Sequence, residues 1–247
     1  MKLPIATHTS DDILRAALRC RMDLTRILAE EFSADGLFAF SSAQWPGLPE
    51  ANCLETDRPL AAGQVDRVVA EFSARNARCQ RWTLPVEDAE LVRRGATTRR
   101  LKVMRLMRWQ QAAAADGMVL QARAAPAKVE PFLRQRLADH SGAVAARMRF
   151  IDDPQDEWLI ALHAGKPIAA AALIISGEAG MLHDLHAADG ANASLRYLID
   201  RLIEYAGRAG LKHVLACAAT NEVELFQAAG FGVAGELVEH LLTEVAR

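Results

Sequence analysis

Residues 178–186, EAGMLHDLH, gather the side chains of this chain best suited to moving a proton. A histidine titrates near neutral pH, so His183 or His186 could take a proton from a substrate, with the carboxylate of Glu178 as a further candidate base. The competing readings are a hydrogen-bonded structural histidine in a central strand and a solvated glutamate in a turn. The HDLH spacing also raises a metal site. Side chains alternate along a strand, so His183 shares a face with Leu185 and Ala187, while Asp184 and His186 share the other. Two imidazoles on opposite faces do not chelate one ion, and no metal is expected.

Other reactive residues carry less. Ser176 and Ser194 lack a G-x-S-x-G context for a nucleophile. Cys20, Cys53, Cys79 and Cys217 are scattered without a C-x-x-C pair, which argues against a zinc site and a disulfide scaffold, and they read as small buried side chains. Residues 1–115 carry 17 basic and 14 acidic side chains, residues 116–247 carry 12 and 17. Seven basic residues and no acid lie between Arg93 and Arg108. Such a run reads either as a solvated strand with guarded edges or as a patch for an anionic partner. The four tryptophans are not interleaved with basic residues, so nucleic acid is not an expected partner. No run of ~18 apolar residues and no secretion signal is present, so neither a membrane span nor export is expected, and the expected location is cytoplasmic.

The elements that must position these residues are clearest in the second half. GMVLQARAA (117–125) reads as a strand, and the segment after Pro126 as a helix stopped by Gly142. Residues 157–188 read as three antiparallel strands cut by turns at Gly165-Lys166 and at 177–180. Leu195, Leu198, Ile199, Leu202, Ile203 and Ala206 form an apolar stripe that predicts a helix closed by Gly210. A strand (KHVLACAAT), a short helix capped by Asn221 (EVELFQAAG) and a last strand follow. The predicted order is β-α-β-β-β-α-β-α-β.

The first half repeats part of this order more loosely: EANCLET, AGQVDRVVAEFSARN, CQRWTLPV, EDAELVRRG and RLKVMRLMRW read as β-α-β-α-β. Glu90-Leu91-Val92 falls where Glu224-Leu225-Phe226 falls, each a few residues ahead of a glycine that turns the chain into a closing strand. QQAAAADG (110–117) reads as the joint between a lobe of residues 1–112 and a domain of residues 113–247.

An element order of this kind, ending in ELFQAAGF with three residues between Phe226 and Gly230-Phe231, resembles the GNAT (GCN5-related N-acetyltransferase) superfamily. The resemblance implies an α/β protein of two GNAT-like lobes, each a mixed sheet flanked by helices, the amino-terminal one partial or degenerate. It further implies acetyl-CoA as cosubstrate and an amine of a small molecule or peptide as acceptor, in a monomer or homodimer.

By the same resemblance, the pantetheine arm pairs with backbone around Leu185 and Ala187, and pyrophosphate sits on the amides of Gly190, Ala191, Asn192 and Ala193 at a helix amino terminus. Asn221 and Phe226 also fall at cosubstrate-binding positions. The sequence departs from the family where Ala187 replaces a Gln or Arg, where Asn192 replaces a Gly, and where Phe226 replaces the tyrosine that often protonates the leaving thiolate. Two functional readings therefore stand: an acyl-CoA-dependent N-acyltransferase, and a catalytically inactive protein of the same fold that senses acyl-CoA or scaffolds a partner.

Overall fold

Helix α1 (Ser10–Arg26), for which the sequence reading had no expectation, starts on a reciprocal cap: Asp12 N–H donates to Thr9 Oγ1, and Thr9 N–H donates back to the Asp12 carboxylate. The computed structural model describes residues 9–109, 111, 118–137, 141–149 and 151–242. After α1 come β1 (Glu30–Ala34), β2 (Leu37–Ser41), β3 (Cys53–Glu55), α2 (Gln64–Ala74), β4 (Arg81–Leu84), α3 (Ala89–Arg93) and β5 (Thr97–Leu106). The second half supplies β6 (Met118–Gln121), α4 (Glu130–Leu137), α5 (Ser141–Arg149), β7 (Asp156–His163), β8 (Lys166–Ser176), β9 (Ala179–Ala187), α6 (Asn192–Arg208), β10 (His213–Ala218), α7 (Val223–Ala228) and β11 (Phe231–Leu241). The joint proposed at 110–117 lies, apart from residue 111, outside the described residues.

The helix expected to stop at Gly142 is instead two helices, and Gly142 lies inside the second. A glycine is needed there for another reason: a Cβ would stand 2.6 Å from Trp45 Nε1, so it permits close approach of the indole. Asn221 is no cap either. It sits in a 3-10 turn, Thr220–Glu222, where the Glu222 carboxylate accepts from Ala219 N–H at 2.8 Å.

Among the described residues all strands join one mixed sheet of eleven, ordered β1-β2-β3-β4-β11-β5-β10-β9-β8-β7-β6. Its parallel pairs are β3–β4 and β9–β10, each bridged by a long helix, α2 and α6; every other neighbour is antiparallel. The order reads alike from both sides of the β5–β11 pair, but these last strands are exchanged. β5 lies against β10, and β11 lies against β4. Each short helix and its glycine therefore deliver a strand to the other half of the sheet, not to their own half.

Burial follows this topology. On one face α6 and α7 pack Leu198, Ile199, Leu202 and Phe226 over Leu159, Leu173 and Leu182. On the other, α1 packs Ile13, Ala17 and Cys20 over Leu101, Val103, Met181, Leu215 and Leu237, and α4 and α5 cover Trp158 and Ile160. Burying a single Leu-sized side chain contributes about 1.5–3 kcal/mol, so these faces hold the sheet flat against its helices. The basic run 93–108 is not an edge. Arg99 pairs with Glu239, Arg100 and Lys102 with Glu236, and Arg94 with Glu90, so acids on the neighbouring strand and helix pair with part of the run.

Candidate functional site

Strands β9 and β10 run parallel in register from Ala179↔His213 to Leu182↔Ala216 and then part. Beyond that point β9 stays with β8 and β10 with β5, so the backbone edges of residues 183–187 and 217–218 face a V-shaped gap. The local cause is a bulge: His183 pairs with Ala172 and His186 with Ala170, leaving Asp184 and Leu185 together opposite one residue. Asp184 takes the left-handed backbone this requires, with φ 48°.

The bulge overturns the expected alternation. His186 lies on the face of His183, where Phe132 stacks on it at 5.6 Å between ring centroids, while Leu185 and Ala187 turn to the α6 side. The opposite-faces argument against a shared ion thus fails. Among the described residues, no group of three or more His, Cys, Asp or Glu side chains is arranged to hold a metal.

His183 is held at both ring nitrogens. Nε2 lies 2.8 Å from Asp156 Oδ1 and Nδ1 2.9 Å from Asp184 Oδ2, and Arg147 Nη2 reaches Asp184 Oδ2 at 2.7 Å. All four side chains are buried. Burial alone would push the Asp156 carboxyl up, but the positive charges of His183 and Arg147 beside it bring it down to about 2. Glu178 sits at the opposite end of β9, exposed and paired with Lys212 at 2.5 Å, so the strand's length separates it from the gap.

At the mouth of the gap, β9 runs through residues 188–191 into α6. Gly190 has φ 79°, and a Cβ there would meet nothing within 4 Å. Ala191 N–H donates to Ala188 O at 2.9 Å, which removes it from the expected set of anion donors. The residues Gly190, Asn192 and Ala193 are exposed; Asn192 and Ala193 are the first two residues of α6, where backbone amides lack partners within the helix and the dipole's positive end lies, and Gly190 precedes its cap, Ala191. At the corresponding place in the first half, Gln64 ties down the loop ahead of α2: its Oε1 accepts from Ala61 N–H at 2.9 Å and its Nε2 donates to Asp35 O.

Behind the gap a cavity of about 580 Å³ runs under α1. Leu185, His186, Asn221 and Phe226 line one end; Arg21, Arg81, Arg99, Cys217 and Glu239 line the other. Phe226 is buried and packs edge-to-face on Phe231, with no proton to give. Arg21 bonds both Glu55, at 3.0 Å, and Glu239, at 2.5 Å; Arg81 reaches Glu55 at 2.8 Å. Burial opposes ionisation of Glu239, yet Arg21, Arg81 and Arg99 hold it down to about 2. Arg21, Glu55, Arg81 and Glu239 were not singled out from the sequence, and Arg99 only as part of the basic run 93–108. The signal was there in part, because Glu55, Arg81 and Glu239 are charges inside otherwise apolar strands, but only the strand exchange brings them together.

The architecture has counterparts among solved structures. A GCN5-related N-acetyltransferase from Kribbella flavida superposes with a TM-score of 0.70 at 12% identity, covering 97% of both chains. A functionally unknown conserved protein from Staphylococcus epidermidis gives 0.65 at 10% identity over 89% of this chain and 96% of that one. A GNAT-family acetyltransferase from Colwellia psychrerythraea gives 0.54 at 15% identity over 98% and 100%. No protein-family model and no curated protein matches the sequence. The fold is that of the GCN5-related N-acetyltransferases: a mixed sheet with a splayed parallel pair, flanked by helices. Among the described residues no helix is long and apolar enough to cross a membrane.

Proposed function

We propose that this chain is an acyl-CoA-dependent N-acyltransferase that moves an acetyl group from acetyl-CoA directly to an amine of a small molecule or peptide. The observation that carries the reading is the gap between β9 and β10, which opens from an exposed helix start into a polar cavity. The residues fit the cosubstrate. Gly190, Asn192 and Ala193 offer amides to pyrophosphate, and the unpaired edge of β9 near Leu185 and Ala187 offers backbone groups to the pantetheine. Phe226 forms an apolar wall, and Asn221 stands at the rim of the same cavity.

In the transfer, the acceptor nitrogen forms a bond to the acyl carbon, the carbon–sulfur bond breaks, and the thiolate leaves. His186 takes the proton from the acceptor and can return it to the sulfur, since Phe226 cannot. His183, clamped between two carboxylates, holds the bulge that aims His186. The two halves are proposed as lobes of residues 1–112 and 113–247, with the loop ahead of α2 in the first held by the bonds of Gln64.

Release of free thiol from acetyl-CoA across a panel of primary amines tests the reading. Turnover is expected, with His186→Gln lowering kcat about 10²-fold, the low end for a general base. Saturable acetyl-CoA binding without thiol release would favour the second reading, an acyl-CoA sensor, which the missing phenol at Phe226 supports.

A further inference from the structure

Three guanidinium groups and the Glu239 carboxylate line the far end of the cavity, and Glu55 is bonded to two of these arginines. Arg21 bridges Glu55 and Glu239, Arg81 joins Glu55, and Arg99 joins Glu239 with Nε at 3.0 Å and Nη2 at 2.5 Å. Both carboxylates are buried and Glu239 is ionised; three guanidiniums meet two carboxylates, and the surplus charge sits on Arg99, whose side chain is half-exposed at the cavity. The two neighbouring thiols do not supply the missing anion. Burial pushes Cys53 and Cys217 up to about 11, so both are neutral thiols near pH 7. Arg81 Nε is buried and has no hydrogen-bond partner, although its Nη2 has two. A buried donor without an acceptor is costly unless something completes it.

Resting on the transferase reading, we propose that the acceptor is an amine that also carries a carboxylate, with its carboxylate on Arg81, Arg21 and Arg99 and its amine directed back toward the gap. Three other acids line the cavity. Glu222 is engaged by Ala219 N–H, Asp184 by Arg147, which lines the same cavity, and Glu50 comes from the β2–β3 connection. Among the described residues no hydrogen bond joins Glu50 or Glu222 to Arg21, Arg81 or Arg99. The cavity thus offers guanidinium at one end and a base, His186, at the other, which matches a molecule with an anion at one end and an amine at the other.

The test compares amino acids with their carboxamides as acceptors of the full chain. Charged hydrogen bonds of this kind distinguish the two by about tenfold or more in kcat/KM, favouring the carboxylate, with the difference mainly in KM. Arg99 is half-exposed, so Arg99→Gln should fold; it leaves two guanidiniums on two carboxylates and is expected to bring the ratio close to one. Equal use of acid and amide by the wild type, or a ratio unchanged by Arg99→Gln, overturns the proposal. Thermal stabilisation by the amino acid without acetyl-CoA reads the same site independently: its presence for the carboxylate and absence for the amide supports the anion site even if no turnover is found. Loss of turnover alone would instead count against the transferase reading.

Discussion

Asp184 stands at φ 48° with its Oδ2 2.7 Å from Arg147 Nη2, so a strained bulge in β9 is tied by an ion pair to a helix on the sheet's covering layer. A left-handed backbone costs a non-glycine residue about 1–2 kcal/mol. The pair to Arg147 and the contact with His183 offset that cost, which is how a chain keeps the kink that opens its strands.

Asp184→Ala should therefore be among the most damaging single changes near the gap. It leaves Arg147 buried with the 3.4 Å contact to Asp156 and a 3.3 Å contact to His183 Nδ1, and retains the backbone strain. A loss of about 3–5 kcal/mol in urea unfolding is expected. A loss below about 1 kcal/mol, the ordinary scale of a point change, would mean that the ion pair does not hold the bulge.

Acid should weaken the same region. Asp156 and Glu239 are both held down to about 2 in the folded protein, below their ordinary values. A depressed carboxyl contributes stability that is present above its unfolded value and is lost as pH falls toward the folded one. Unfolding free energy should thus fall between about pH 4.5 and 2, and Asp156→Asn should show a shallower fall over that window. An identical slope in the variant would contradict this.

His240 predicts a second window. It is fully buried, accepts Asp88 N–H at Nε2 at 3.1 Å, and is lowered from 6.5 by burial. The unfolded chain then binds the proton first, so the stability His240 contributes is complete above about pH 6.5 and declines as pH falls below it. His240→Gln should make the pH 7 to 5 stability profile flatter than that of the wild type. A variant profile parallel to the wild type would remove the effect.

The fold was legible where periodicity and turn residues agree. The stripe on α6 and the turns at Gly165 and Gly177 give β7 to β11 nearly as observed. What stayed hidden was non-local. Nothing in RLKVMRLM or FGVAGELVEHLL says that each strand crosses to the other half, because register and partner choice depend on the whole sheet. Helix α1 was missed although Thr9 and Asp12 spell its cap. In the site, His183 and His186 were found by residue type, but their relative facing was misjudged because one bulge residue, Asp184, reverses the alternation. The arginine cluster needed α1, β4, β5 and β11 assembled before it existed as a feature.

The cosubstrate gap is tested most directly by calorimetric titration of acetyl-CoA into the full chain, its Gly190→Asn variant and its Gly190→Glu variant. Asn tolerates the left-handed backbone of Gly190, whereas Glu adds a negative charge beside the exposed amides. One-to-one binding to the wild type, kept by Gly190→Asn and weakened by about tenfold or more in Gly190→Glu, is the predicted result. No binding at millimolar acetyl-CoA, or equal affinity in all three proteins, would contradict a cosubstrate site between β9 and β10.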